Sequence, residues 1–291
     1  MRAPSWLLHF RVVNFATRKE HLNEEMSHAP PLGNTFARRL LAAWTTAVLA
    51  FLYLPIVLLI VYSFNNSLVY GVWKGFTLHW YAEIWRDDTL LTALQNSLII
   101  AAITTAISVV LGTIAAWLLH RYRFPAARAV TTLAVLPMVV PEIIMGVSFM
   151  LLFRGVGLEL GYMTVIISHV TFCFPFVMAA VQARLAGLDP SLEEAALDLG
   201  ATPARAFMKV IVPYLMPGIV AGAMLSFTLS LDEFIVTFFT CSAQSQTVPV
   251  MIYNEIKLGL SPKLNAISTL IVAATVVLTL AGDGIGRRSR T

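Results

Sequence analysis

Along the chain, apolar positions gather into six long runs: residues 40–64, 93–119, 129–153, 163–181, 214–239 and 265–281. Short polar stretches separate them. A helix needs about 20 mostly apolar residues to cross a bilayer core, and each run is of that order, the last being the shortest. Nothing alternates in the segments of about ten residues that a membrane β-barrel would show. The pattern therefore predicts an all-α polytopic membrane protein with six transmembrane helices.

The runs are punctuated. Pro55 interrupts the first, Pro137 and Pro141 the third, Pro175 the fourth, and Pro217 lies near the start of the fifth. A proline frees a carbonyl and kinks its helix, which lipid tolerates only where protein or water satisfies the backbone. Two readings stand: ordinary kinking, or kinks that shape a pathway. Gly218 and Gly222 form a small-xxx-small pair suited to close helix packing, in this chain or against a partner subunit.

Composition agrees with the spans. The chain has 291 residues, 58% hydrophobic and only 12% charged, against about 25% in soluble domains. That excludes a disordered chain and an ordinary soluble enzyme, and Cys173 and Cys241 are too few for a disulfide framework. The net charge of +4 has a topological cause. Fifteen of the 20 Lys and Arg residues fall on one side of the membrane if the N-terminus is inside. Both termini are thus expected in the cytoplasm, and a nucleic-acid patch is not indicated. Residues 1–39 form a cytoplasmic N-terminal segment without a signal-peptide core, 40–281 the transmembrane domain, and 282–291 a cytoplasmic tail. Met26 offers an alternative start that would leave 1–25 outside the protein, which mass spectrometry of the native N-terminus decides.

Three acids lie inside the runs: Glu142, directly after Pro141, and the pair Asp232–Glu233. A carboxylate at mid-bilayer costs about 2.5–3.5 kcal/mol on insertion scales, so each calls for a reason. One is a cation or proton pathway; the other is structural hydrogen bonding near the interface. Adjacent helical residues point about 100° apart, so Asp232 and Glu233 do not share one narrow lumen. One lines a pathway while the other caps backbone or faces a neighbouring chain. His169, the only histidine in a run, reads as a satisfied packing residue. No cluster of His, Cys, Asp or Glu has metal-ligand spacing, and no nucleophile elbow is present.

The connection at 189–213 reads as helix–turn–helix. Asp189 is an N-cap with Pro190 after it, Ser191 and Glu194 have capping-box spacing, Gly200 suits a left-handed helix end, Thr202 caps the next helix, and Pro213 marks re-entry into the membrane. Ala195 and Ala196 leave a slim face that fits a groove on another protein. The order Glu194-Ala195-Ala196, three residues, Gly200, nine residues, then Val210-Ile-Val-Pro213 resembles the EAA loop of inner-membrane permeases in binding-protein-dependent ABC importers. Val210 and Val212 stand where that family usually has Ile and Leu. Stretches 192–200, 230–237 and 249–266, with Pro141-Glu142 and Gly146, resemble the spermidine/putrescine (PotC/PotI-like) group of the MetI-like permeases.

The resemblance implies a MetI-like type I importer permease fold. It also implies a coupling loop carrying Glu193, Glu194, Ala195, Ala196, Asp198, Gly200 and Pro213, docked on a cytoplasmic ABC ATPase dimer. A companion permease, a periplasmic binding protein and a polyamine substrate complete the assembly, with Glu142, Asp232 and Glu233 as candidate pathway residues. The chain has no Gly-Lys dipeptide and so no Walker A loop. It is expected to bind no cofactor and to be no enzyme, with ATP and Mg on the partner ATPase. The rivals are a related permease for opines, iron or an anion, and, from another class, a secondary cation transporter.

Overall fold

A computed structural model describes residues 35–67, 72–122, 124–189, 191–258 and 262–288. The expectations for residues 1–34, Pro190 and the last residues of the tail lie outside them. The chain divides between Leu58 and Leu59 into two compact units. Helix α1 (Thr35–Tyr62) carries Pro55 inside a continuous helix. Its residues up to Leu58 form the described part of the first unit.

From Leu59 onward the second unit contains α2 (His79–Ile84), α3 (Asp88–Arg121), α4 (Ala127–Val135), α5 (Glu142–Gly155), α6 (Tyr162–Leu185), α7 (Ser191–Asp198), α8 (Pro203–Ala206), α9 (Val212–Asp232), α10 (Ile235–Thr240), α11 (Val248–Leu258) and α12 (Pro262–Arg288). A π-helical turn, Phe207–Ile211, joins α8 to α9. No β-strand occurs among the described residues beyond an isolated bridge between Asn65 and Phe76.

Among the described residues, four helices are long and apolar enough to cross a membrane: Phe36–Tyr62, Asp88–Arg121, Tyr162–Leu185 and Pro203–Asp232. The expected third span is not one kinked helix. It breaks between Met138 and Glu142 into two pieces bent by 103°. Pro137 and Pro141 flank the break, where the missing N–H groups stop the helical ladder. The expected fifth span also breaks, at Glu233–Phe234, separating α9 from α10. The sixth run, residues 265–281, lies within the 27-residue helix α12.

The core is built by α3, α6 and α9 packed on one another. On α3 the buried small residues Ala93, Ser97, Ala101, Thr104, Ser108, Gly112 and Ala116 recur every three or four positions, one face of a helix. Gly112 lets α6 close in: a Cβ there would stand 2.8 Å from Val177 Cβ and 2.9 Å from the Met178 backbone nitrogen. The Gly218–Gly222 pair does the same from α9, with added Cβ atoms 3.2 Å from Ala180 O and 3.1 Å from Val177 Cα. That pair therefore serves packing within this chain. The apolar filling of this layer is Val177, Met178, Val181, Leu185, Ile211 and Leu215.

Candidate substrate pathway and coupling loop

The two helix breaks lie side by side. Gly146, one turn after Glu142, packs on the first turn of α10, and a Cβ at Gly146 would meet Val236 Cα at 3.3 Å and Ile235 O at 3.4 Å. This contact brings the three intramembrane acids to one region. Glu142 and Asp232 are the charged neighbours within electrostatic reach of Glu233.

Their local settings differ. Glu142 is the first residue of α5 and exposed, at the end of a helix dipole that favours an anion. Glu233 is buried, and its Oε1 accepts the Val236 N–H at 2.8 Å, capping α10. The alternative in which one member of the pair caps backbone is what the geometry displays. Asp232 ends α9, where the dipole disfavours a carboxylate, and it is exposed. The fold gives Glu233 a structural task and gives Asp232 none.

Helix α6 staples the second break from both sides. His169 is fully buried, its Nδ1 paired with Ser230 Oγ before the break and its Nε2 with Thr237 Oγ1 after it, each at 2.8 Å. Thr164 donates to Thr240 O at 2.7 Å, and Thr237 donates to Glu233 O at 3.0 Å. The satisfied-packing reading of His169 holds in this geometry. That His169 bridges a break is a tertiary relationship with no local signal.

In the loop, Asp189 Oδ1 accepts the Ser191 N–H at 2.9 Å, which holds the Asp189 carboxyl below its usual range. Ser191 is thus inside the first turn of α7, and the expected Ser191–Glu194 capping box gives way to the Asp189 cap. Gly200 ends α7 at φ +82°. Ala201 N donates to Ala196 O at 3.1 Å and Gly200 N to Leu197 O at 2.9 Å, the paired bonds of a Schellman ending. Thr202 Oγ1 accepts from Arg205 N at 3.4 Å. Pro213 lies exposed in the first turn of α9, inside the continuous helical run Pro203–Asp232.

Glu194, Ala195, Asp198 and Gly200 are exposed, Ala196 is half-buried, and Glu193 is half-buried against Arg121. Leu199, beside Gly200, is 89% exposed. Together with exposed Ala195, four residues earlier, it gives the end of α7 a bare apolar edge.

Residues 108–289 match the family model of the binding-protein-dependent transport system inner membrane component. The chain belongs to that family. It is an inner-membrane permease of the ABC importer type with the MetI-like fold. It is 39% identical over 250 residues to the spermidine/putrescine transport system permease protein PotC of Escherichia coli K12, covering 86% of this chain and 95% of that one. It is also 39% identical over 235 residues to the putrescine transport system permease protein PotI of the same strain, covering 78% and 84%. Among solved structures, a bacterial ABC transporter involved in import of the acidic polysaccharide alginate superimposes with a TM-score of 0.68 at 15% identity, covering 87% of this chain and 95% of its own. At that identity the likeness concerns the fold alone. Within this permease family member, exposed Asp232 and Glu142 at the two breaks and the exposed loop around Gly200 are left without a packing role by the contacts described above.

Proposed function

We propose that this chain is the permease subunit of an ATP-driven polyamine importer, forming half of the pathway for putrescine or spermidine. The observation that carries the substrate reading is Asp232: an exposed carboxylate at a break in a spanning helix, with Glu142 presented at the neighbouring break. Backbone breaks in membrane helices recur where transporters bind substrate. Carboxylates there offer an extended polycation partners that replace water. The likeness to PotC and PotI supports the same class.

Energy enters through the loop. Exposed Ala195 and Leu199, held rigidly by the Asp189 cap and the Gly200 ending, form an apolar knob for a groove on a cytoplasmic ABC ATPase dimer, which carries ATP and Mg. A companion permease supplies the other half of the pathway, and a periplasmic binding protein delivers the amine.

The test is reconstitution in proteoliposomes with the ATPase, companion permease and binding protein, followed by uptake of radiolabelled putrescine and spermidine. Asp232→Asn and Glu142→Gln are expected to cut uptake with little loss of thermal stability, while Glu233→Gln loses stability. Glu194→Ala or Gly200→Asp is expected to abolish ATP-driven uptake with insertion intact. Uptake of another solute with no polyamine transport would sink the substrate reading. Uptake unchanged after removal of the ATPase would sink the coupling reading.

A further inference from the structure

Beyond the acids, the second break opens onto an aromatic wall. Phe234, in the break itself, lies 4.8 Å from Tyr253 and 5.8 Å from Phe238 between ring centroids, and Phe238 lies 5.5 Å from Tyr253. The rings come from two elements, the α9–α10 break with α10 and then α11, so the wall is assembled by tertiary packing. Against it rests a cation. Lys257 Nζ stands 4.4 Å from the Tyr253 centroid and 5.8 Å from that of Phe238. Lys257 is exposed, and among the described residues it joins no ion pair.

The chemistry of that cation matters. A lysine side chain is a primary ammonium on a flexible four-carbon stem, an aminobutyl group, and the same four-carbon amine unit occurs once in putrescine and once in spermidine. Ammonium groups bind ring faces through the ring quadrupole, and paired rings are a known way to build such receptors. The wall therefore already holds a group with the shape and charge of one end of a polyamine, and Asp232 is two residues from Phe234.

We propose that Phe234, Phe238 and Tyr253 form a receptor for a primary alkylammonium end of the transported amine, and that Lys257 occupies it as a tethered surrogate while the permease is empty. This rests on the polyamine reading above. Incoming substrate displaces the Lys257 ammonium, which swings into water. The exchange replaces one ammonium–ring contact by an equivalent one, so the receptor stays covered between cycles and releases its cargo easily.

The test uses the permease complex with its companion and ATPase in nanodiscs, without the binding protein, and measures equilibrium binding of radiolabelled putrescine. Lys257→Met keeps the apolar stem and removes the competitor. It is expected to tighten putrescine binding by about 3–10-fold, the range set by a cation–ring contact. Adding Phe238→Ala to that variant is expected to cancel the gain. Thermal melting of each variant runs alongside, because a lysine that merely staples one turn of α11 to Tyr253 would lower stability and tighten nothing. Unchanged, weaker or undetectable binding in Lys257→Met, with wild-type uptake intact in the full importer, overturns the surrogate. A wild-type importer that takes up neither putrescine nor spermidine fails at the substrate reading, and this inference falls with it.

Discussion

Arg121 Nε lies 3.0 Å from Glu193 Oε1, tying the last residue of α3 to the first turn of α7. Helix α3 is central to the core, and α7 is the exposed element of the loop. The pair is the side-chain ion link between them among the described residues. Exposed pairs add little to folding stability and are screened by salt. Arg121→Ala and Glu193→Ala are therefore expected to leave the melting temperature nearly unchanged and to lower uptake per ATP hydrolysed. The double charge reversal Arg121→Glu, Glu193→Arg should restore part of the coupling. Single variants with wild-type coupling ratios would refute a mechanical role for the pair.

His169 makes a prediction of the opposite kind, in stability. His169→Phe fills the same buried space but leaves Ser230 Oγ without its 2.8 Å partner and Thr237 with only its bond to Glu233 O. Unsatisfied buried hydroxyls and lost intramembrane hydrogen bonds together cost about 1–3 kcal/mol. Thermal unfolding in nanodiscs should register that loss, and uptake should fall with it as the break loosens. A His169→Phe variant as stable as the wild type would show that the break is held by other contacts.

How much of this was legible before the structure follows from what each feature leaves in the sequence. The Asp189, Gly200 and Thr202 signals are local chemistry, and all three sit where their residue types predicted. The break at 138–142 announced itself through Pro137 and Pro141, though not its 103° bend. The break at Glu233 left no such mark. The apolar run continues through Phe234-Ile235-Val236, no proline stops it, and the cap is the Glu233 side chain itself. The apolar window marks α3 only over 93–119, because its polar ends, Asp88 to Thr92 and His120–Arg121, lie outside it. Its hydrogen-bonded length is set by the Asp87 cap and the Arg121 end. The Lys257 wall and the Arg121–Glu193 link are tertiary, and spacing along one chain carries no signal for either.

Acid should unlock one outer corner of the fold. Asp87 Oδ1 accepts the Thr89 and Leu90 N–H groups at 2.9 and 3.1 Å, and Lys263 donates to its Oδ2, joining the start of α3 to the first turn of α12. Burial pushes the Asp87 carboxyl up, but the Lys263 hydrogen bond and the Leu90 N–H outweigh it and hold the group below its ordinary 3.8. A carboxyl depressed in the folded state stabilises fully above its unfolded pKa and loses that contribution as pH falls through the folded value. Melting temperature should thus be insensitive to this group from pH 7 to 5 and should drop below about pH 4. Asp87→Asn retains a capping oxygen and is expected to flatten that acid limb, while Asp87→Ala costs about 1 kcal/mol at pH 7 as well. An acid limb unchanged in Asp87→Asn would assign it to other carboxylates.

The closest approach in the core gives the last prediction. At Gly112 an added methyl would meet Val177 Cβ at 2.8 Å, Met178 N at 2.9 Å and Phe174 O at 3.0 Å. Two of those three atoms are backbone of α6, so no side-chain rotation relieves the clash, and α3 and α6 must separate. Overpacking of this kind costs about 1–3 kcal/mol. Gly155, which closes α5, is the control, since nothing lies within 4 Å of a Cβ there. Gly112→Ala should lower the melting temperature and shift the α6 staples on His169 and Thr164, so transport falls as well. Gly155→Ala should leave both unchanged or gain a few tenths of a kcal/mol from helix propensity. Equal stability of the two variants would mean that α3 and α6 do not meet as closely in the membrane as they do at Gly112 here.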